Sequence, residues 1–273
     1  MISVRILFPV LLTLAFTGCG GADRTPGSLP QTKHAMVVIA HRGNHVSVPE
    51  NTLAAYRQAI AAGADYVETD LRTTKDGQLV ILHDATVKRM TGAEGAVSEL
   101  TFEQIEKLVI HSQNKADTTA YHIPRFEDVL KVCKGYINIY LDFKEADVAK
   151  TYALIKAAGM EKQVVVYLNK EEQYAQWKKV APHMPLMASI PEEMNVVQRD
   201  SLLREKPVSV VDNAYHAEEV QALHEKKIAV WLDVESESEG PNEWDQALQL
   251  GVDGLQTDHP ADLIQYLEQK GIR

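Results

Sequence analysis

From Met36 onward, short runs of β-branched and apolar residues alternate with segments whose apolar positions recur at helical spacing. The first kind, Val37–Ala40, Tyr66–Asp70, Ile137–Asp142, Val164–Leu168, Leu186–Ile190, Val208–Asp212, Ile228–Val234 and Gly254–Thr257, read as strands. Asn51-Thr52 marks a helix start before Leu53 to Ala62, and Gly63 and Gly159 mark helix stops. Strands alternating with helices imply parallel pairing through helical crossovers. Eight such units in roughly 240 residues predict an α/β fold, a (β/α)8 TIM barrel.

One interval breaks the rhythm. Asp70 and His83 are too close for a helical crossover, and Lys75-Asp76-Gly77 between them is a turn signal. The pattern predicts an antiparallel hairpin rising from the second strand, with Gln78 to His83 returning to the barrel mouth. The insertion after strand two then spans about 71–125, ending at a helix from Phe126.

Ahead of the repeat, Arg5 precedes an apolar run from Ile6 to Phe16, and the small residues Thr17-Gly18 stand directly before Cys19. This resembles a bacterial lipoprotein signal, which implies removal of residues 1–18 and lipidation of Cys19. An ordinary secretory signal with Cys19 incidental is the plainer alternative. Residues 19–33, rich in Gly, Pro, Ser and Thr, are expected to form a flexible tether. They would leave 34–273 as one folded domain, exported and membrane-anchored, facing the periplasm or cell exterior.

The composition, 45% hydrophobic and 24% charged over 273 residues, fits a globular domain with one large core. Removing residues 1–18 takes away one positive charge and no acid, moving the net charge from −10 to −11. That acidity, without a basic run, argues against nucleic acid or an anionic membrane surface as partner. Membrane contact is expected only through the anchor. Cys133, the other cysteine, lies in a helical pattern and reads as a small core residue.

Residues i and i+2 of a strand face the same side. Glu68 and Asp70 therefore both point into the barrel mouth, as do Asp142 and Lys144. Three carboxylates converge at strand C-termini, the face on which barrel active sites lie. Oxygen ligands without cysteine suit one hard divalent cation, Ca2+ or Mg2+, with a slight preference for Ca2+. Ion pairing with Arg42 or Lys144 is the plainer reading of any single acid. His41 and His83, on different elements, can flank a bound phosphate, one taking a proton from the attacking oxygen and the other protonating the leaving alcohol. Arg42 offers a fork to phosphate oxygens, Gly43 leaves room for substrate, and Lys144 adds a second positive contact. Strand alternation turns Asp84 away from His83 and gives it a turn-capping role. Asn51 or Thr52 caps the first helix, and Glu50 either braces Arg42 or reaches a water on the cation. Of the other histidines, only His45 lies near the mouth.

These residues sit in segments that resemble the glycerophosphodiester phosphodiesterase family. The segments are His41-Arg42-Gly43, Pro49-Glu50-Asn51-Thr52, Glu68-Thr69-Asp70, Thr74-Lys75-Asp76-Gly77, His83-Asp84, Gly251-Val252-Asp253-Gly254 and Thr257-Asp258-His259-Pro260. The resemblance runs from about Val37 to Leu263. It implies metal ligation by Glu68, Asp70 and Asp142, acid–base roles for His41 and His83, and phosphate contacts from Arg42 and Lys144. The implied reaction splits a small glycerophosphodiester into glycerol 3-phosphate and an alcohol. The glycerol 2-hydroxyl attacks phosphorus, and water then opens the cyclic phosphate.

The chain departs from the family at Asp142, where Glu is usual, and at Val230-Trp231-Leu232-Asp233-Val234, where Trp-Thr-Val-Asn is common. Trp231 then either packs on the glycerol carbons as a substrate-binding residue or is a barrel core aromatic. Asp233 with Glu235, Glu237 and Glu239 is expected to form an acidic loop that disfavours anionic head groups. A phospholipase-type enzyme acting on intact lipid would need an apolar or basic loop, and Thr101 to His122 is polar and mixed in charge. A catalytically silent binding lipoprotein would typically have lost one of the set, yet every position is occupied.

Overall fold

The computed structural model describes residues 26–112, 114 and 116–273, so the expected signal segment and Cys19 lie outside the described residues. The strands run β1 (Val37–Ala40), β2 (Tyr66–Thr73), β3 (Leu79–Ile81), β4 (Asn138–Glu145), β5 (Val164–Leu168), β6 (Leu186–Ala188), β7 (Val210–Val211), β8 (Ala229–Asp233) and β9 (Gly254–Thr257). All but β3 pair in parallel, and β1 pairs with both β2 and β9, so these eight close into the expected (β/α)8 barrel. The helices are α1 (Leu53–Ala62), α2 (Lys88–Thr91), α3 (Phe102–Ile105), α4 (Phe126–Cys133), α5 (Val148–Ala158), α6 (Glu171–Val180), α7 (Val196–Glu205), α8 (Ala217–Glu225), α9 (Pro241–Gln249) and α10 (Pro260–Gln269).

Alternation along the strands builds the site. Val37, Ile39, Tyr66, Tyr140, Val165, Met187, Val210 and Trp231 form one buried cluster inside the barrel, while the larger core fills the space between sheet and helices. Trp231 lies 4.9 Å from Tyr66 and 6.5 Å from Tyr140, centroid to centroid. A Cβ at Gly254 would stand 2.7 Å from Trp231 Cδ1, so the absence of a side chain on β9 is what admits the indole. Two residues beyond this layer, the same alternation sets Glu68, Asp142, Tyr167, Ser189, Asp212, Asp233 and Gln256 around the mouth.

The hairpin forms as expected. Strand β3 pairs antiparallel with the end of β2, Leu71 opposite Ile81, and a register shift between Leu71 and Arg72 lets β2 leave the barrel wall. Leu82 N donates to Asp70 O at 3.0 Å, and Arg72 Nε holds the His83 carbonyl at 3.0 Å, which returns His83 to the mouth. The insertion carries its own small core around Val87, Val97, Phe102, Ile105 and Ile123.

The tether differs from expectation in its last residues. Gly27 O accepts from Ser209 Oγ (2.7 Å), Pro30 O from Tyr66 Oη (3.3 Å) and Gln31 O from Asn138 Nδ2 (3.0 Å), with Leu29 packed against the barrel interior. From residue 26 the chain is therefore fastened beneath the barrel by backbone carbonyls, and the packed domain extends back beyond residue 34.

Candidate active site

The turn after β1 shapes one wall. Arg42 (φ 52°) and Gly43 (φ 84°) are both left-handed, and a Cβ on Gly43 would approach the Ala55 backbone to 2.8 Å. Only glycine fits there, whereas Arg42 bears backbone strain of about 1–3 kcal/mol. The reversal lets Arg42 N donate to Glu68 Oε2 at 2.9 Å. Asn51, also left-handed, donates from Nδ2 to Asp70 Oδ2 at 2.7 Å and accepts from Tyr56 Oη at 2.8 Å. Thr52 is the cap of α1, accepting from Ala55 N at 3.2 Å, which frees Asn51 to hold Asp70.

Glu68 and Asp70 are 3% and 1% exposed, and with Asp142 they bring one carboxylate oxygen each within 4.8 Å of one another. Lys144 Nζ lies 3.2 Å from Asp70 Oδ1 and bonds Asp142 Oδ2, while Asn169 Nδ2 donates to Asp142 Oδ1 at 2.5 Å. Arg42 Nε stands 3.7 Å from Asp70, is buried and has no hydrogen-bond partner. Ion pairing and convergence are thus both present. Burial, reinforced by Asp70 and Asp142, holds the Glu68 carboxyl well above its ordinary range. Asp142 is raised mainly by burial, which Lys144 offsets only in part. Three crowded carboxylates left short of positive charge fit a hard divalent cation, and the free Arg42 Nε beside them fits an anionic oxygen.

Both histidines are braced through Nδ1. His83 Nδ1 lies 2.8 Å from Asp84 Oδ1, so Asp84 is the orienting partner that strand alternation had ruled out. Strand β3 ends at Ile81, and alternation no longer governs residues 83 and 84. Hydrogen bonds from Arg89, with burial opposing and His83 assisting, push the Asp84 carboxyl down to about 2. Arg89 also reaches Glu50 at 2.7 Å, and Glu50 braces Arg42 at 3.0 Å, linking His83 to Arg42. On the other side His41 Nδ1 meets Asp258 Oδ1 at 2.8 Å, and His45 Nε2 meets the same oxygen at 2.9 Å. His41, His45 and Asp258 also lie close enough to share an ion, yet the shared oxygen is already taken by two imidazoles. We read the trio as a bracket for His41. In each pair an Nδ1–H donated to carboxylate leaves Nε2 for proton transfer.

Residues 41–183 match the glycerophosphoryl diester phosphodiesterase family. The chain belongs to this family. A glycerophosphodiester phosphodiesterase of Bacillus altitudinis is 30% identical over 85% of this chain and 98% of its own length. One from Caldanaerobacter subterraneus subsp. tengcongensis is 29% identical over 86% of this chain and 99% of its own. Among solved structures, a glycerophosphodiester phosphodiesterase from Agrobacterium tumefaciens superposes with a TM-score of 0.72 at 23% identity, covering 83% of this chain and 97% of its own. A phosphodiesterase of Oleispira antarctica, solved with the product sn-glycerol-3-phosphate, gives 0.74 at 18% identity over 85% and 96%.

Within this family member, two further sequence expectations are narrowed: Trp231 does not bind substrate, and the acidic loop contributes fewer acids to the mouth. Trp231 is 2% exposed and lies beneath the mouth among Tyr66, Tyr140 and Gly254, a core aromatic with no face free for glycerol. The loop after β8 is acidic, but Glu239 turns back, taking bonds from Thr257 Oγ1, Asp258 N (3.1 Å) and Trp244 Nε1 (3.1 Å). Only Asp233 and Glu235 of that loop join the electrostatics of the mouth. Sequence reasoning gave no role to Asn169, Asp212 or Asp258. Their signal was position, each falling just past the end of a strand.

Proposed function

We propose that this chain hydrolyses glycerophosphodiesters to glycerol 3-phosphate and an alcohol, using one divalent cation at Glu68, Asp70 and Asp142 and proton transfer by His41 and His83. The observation that carries this reading is the carboxylate triad flanked by two carboxylate-braced imidazoles and an unpartnered Arg42 Nε. When bound, the cation, Ca2+ or Mg2+, would withdraw charge from the phosphate oxygens as phosphorus is attacked. Arg42 and Lys144 would bind and orient the phosphate, and Asn51 and Asn169 fix the carboxylates from behind. One imidazole takes the proton of the attacking 2-hydroxyl and the other gives a proton to the departing alcohol oxygen, so the pair ends with its protonation exchanged. Water entering by the reverse transfer opens the cyclic phosphate and restores both.

Family membership supports the substrate, and the chemistry of the donor set supports a hard cation over zinc. We place the enzyme outside the cytoplasm, anchored through Cys19. Loss of labelled fatty acid and release from membranes in Cys19→Ser would support the anchor, and unchanged membrane retention would contradict it. The activity itself is tested by measuring glycerol 3-phosphate released by purified protein from several glycerophosphodiesters. Release from none of them contradicts the proposal.

A further inference from the structure

The mouth is electrostatically divided. Its β1, β2 and β4 side carries Arg42 and Lys144 among the triad acids, whereas the β7 and β8 side carries Asp212, Asp233 and Glu235. Asp212 is 7% exposed; its Oδ2 accepts from Ser189 Oγ at 3.0 Å, and its Oδ1 is buried without a hydrogen-bond partner. Strand alternation aims it inward, two residues past Val210 of the interior cluster. A carboxylate oxygen left buried and unpaired beside the mouth lacks a donor or a positive charge to offset its burial.

Three tyrosines surround these acids. Tyr167 Oη shares a bond with Ser189 Oγ at 2.7 Å, Tyr140 lies 5.9 Å from Tyr167, and Tyr215, 53% exposed, stands at the rim within the field of Asp212 and Asp233. Solvent reaches Asp233 through the mouth, yet burial by the surrounding walls, then Glu235, Asp212 and Asp142, push its carboxyl up to about 8, with no cation offsetting them. Carboxylates and aromatic faces without a built-in counter-ion are what an alkylammonium group requires.

We infer that the β5 to β8 half of the mouth, built from Asp212, Asp233, Tyr167 and Tyr215, is a head-group subsite that selects glycerophosphodiesters of ammonium-bearing alcohols. The inference rests on the proposed hydrolysis and names its substrate class. An ammonium group, of ethanolamine or of choline, finds tyrosine faces there and the acids Asp212 and Asp233, whose anionic forms its positive charge favours. A head group held there leaves past His41, which stands 4.0 Å from Glu235. His41 is then the donor to the departing alcohol oxygen as its bond to phosphorus breaks, and His83 the acceptor from the 2-hydroxyl.

The test is kcat/KM, at saturating Mg2+ or Ca2+, for glycerophosphocholine, glycerophosphoethanolamine, glycerophosphoglycerol and glycerophosphoinositol. The first two should exceed the last two by at least about tenfold, and that ratio should fall toward one in Asp212→Asn and Asp233→Asn. Values within about threefold for all four in the unmodified enzyme overturn the subsite without recourse to any variant. An equal loss on all four in both variants also overturns it, because it makes these carboxylates holders of the shared glycerol or of a second cation. Glycerol 3-phosphate from none of the four removes the parent hydrolysis, and this subsite with it.

Discussion

Asp258 Oδ1 accepts from His41 Nδ1 at 2.8 Å, joining the last barrel strand's end to the first across 217 positions of sequence. Burial alone would raise this carboxyl, but the hydrogen bonds from His41 and His45 outweigh it and hold it below the ordinary range. It therefore stays anionic at every pH where the enzyme would work, fixing which nitrogen of His41 faces substrate. Asp258→Asn should lower kcat by at least about a hundredfold with a smaller change in KM. His45→Ala, which leaves the His41 bond intact, should cost about tenfold or less. Equal effects of the two in kcat would show that Asp258 does not act through His41.

His83 owes its position to the hairpin and its orientation to Asp84. His83→Ala should reduce turnover by at least about a hundredfold, the scale of one lost acid or base. Asp84→Asn should reduce it by roughly tenfold to a hundredfold, as loss of an orienting partner does. Steady-state kinetics showing near-normal turnover in His83→Ala would contradict its acid–base role.

Gly254 is the one place on β9 where the Trp231 indole can lie. Gly254→Ala should destabilise the domain by about 1–3 kcal/mol through overpacking, lowering Tm by roughly 2–4 °C per kcal/mol for a domain of this size. An unchanged calorimetric Tm would mean the barrel interior is looser than the contact implies.

The acids of the mouth also make stability depend on pH. Asp233 titrates near about 4 when unfolded and is pushed up to about 8 when folded; Glu68 and Asp142 shift in the same direction. The folded state holds the extra protons, so this contribution is fully present below about pH 4 and is lost as pH rises through about 8. A cation at Glu68, Asp70 and Asp142 replaces the protons held there. Adding Mg2+ or Ca2+ to chelator-treated protein should therefore raise Tm more at pH 8 than at pH 5, as read by thermal unfolding. A larger gain at pH 5 would contradict this electrostatic account.

Much of this was legible in local pattern. Alternation placed Glu68, Asp70 and Asp142 on one face, and a turn signal at Lys75-Asp76-Gly77 located the return of His83. Contacts set by barrel closure were not, because Asp258 meets His41 only once β9 pairs with β1. Alternation would turn Asp84 away from His83 only in a continuing strand, and β3 ends at Ile81. The segment from residue 26 looked like solvated tether because its bonds to Ser209, Tyr66 and Asn138 use backbone carbonyls, which composition does not register. The place of Trp231 on β8 allows either a substrate contact or a core position, and the close approach of Gly254 to its indole decides for the core.

The central claim is a cation-dependent phosphodiester hydrolysis at Glu68, Asp70 and Asp142. Its most direct measurement is a ³¹P NMR time course of purified protein with a glycerophosphodiester, first in chelator and then with Mg2+ or Ca2+ restored. The account predicts no change in chelator and growth of the glycerol 3-phosphate resonance once either cation is added. Full conversion in chelator, or none with either cation, would contradict it.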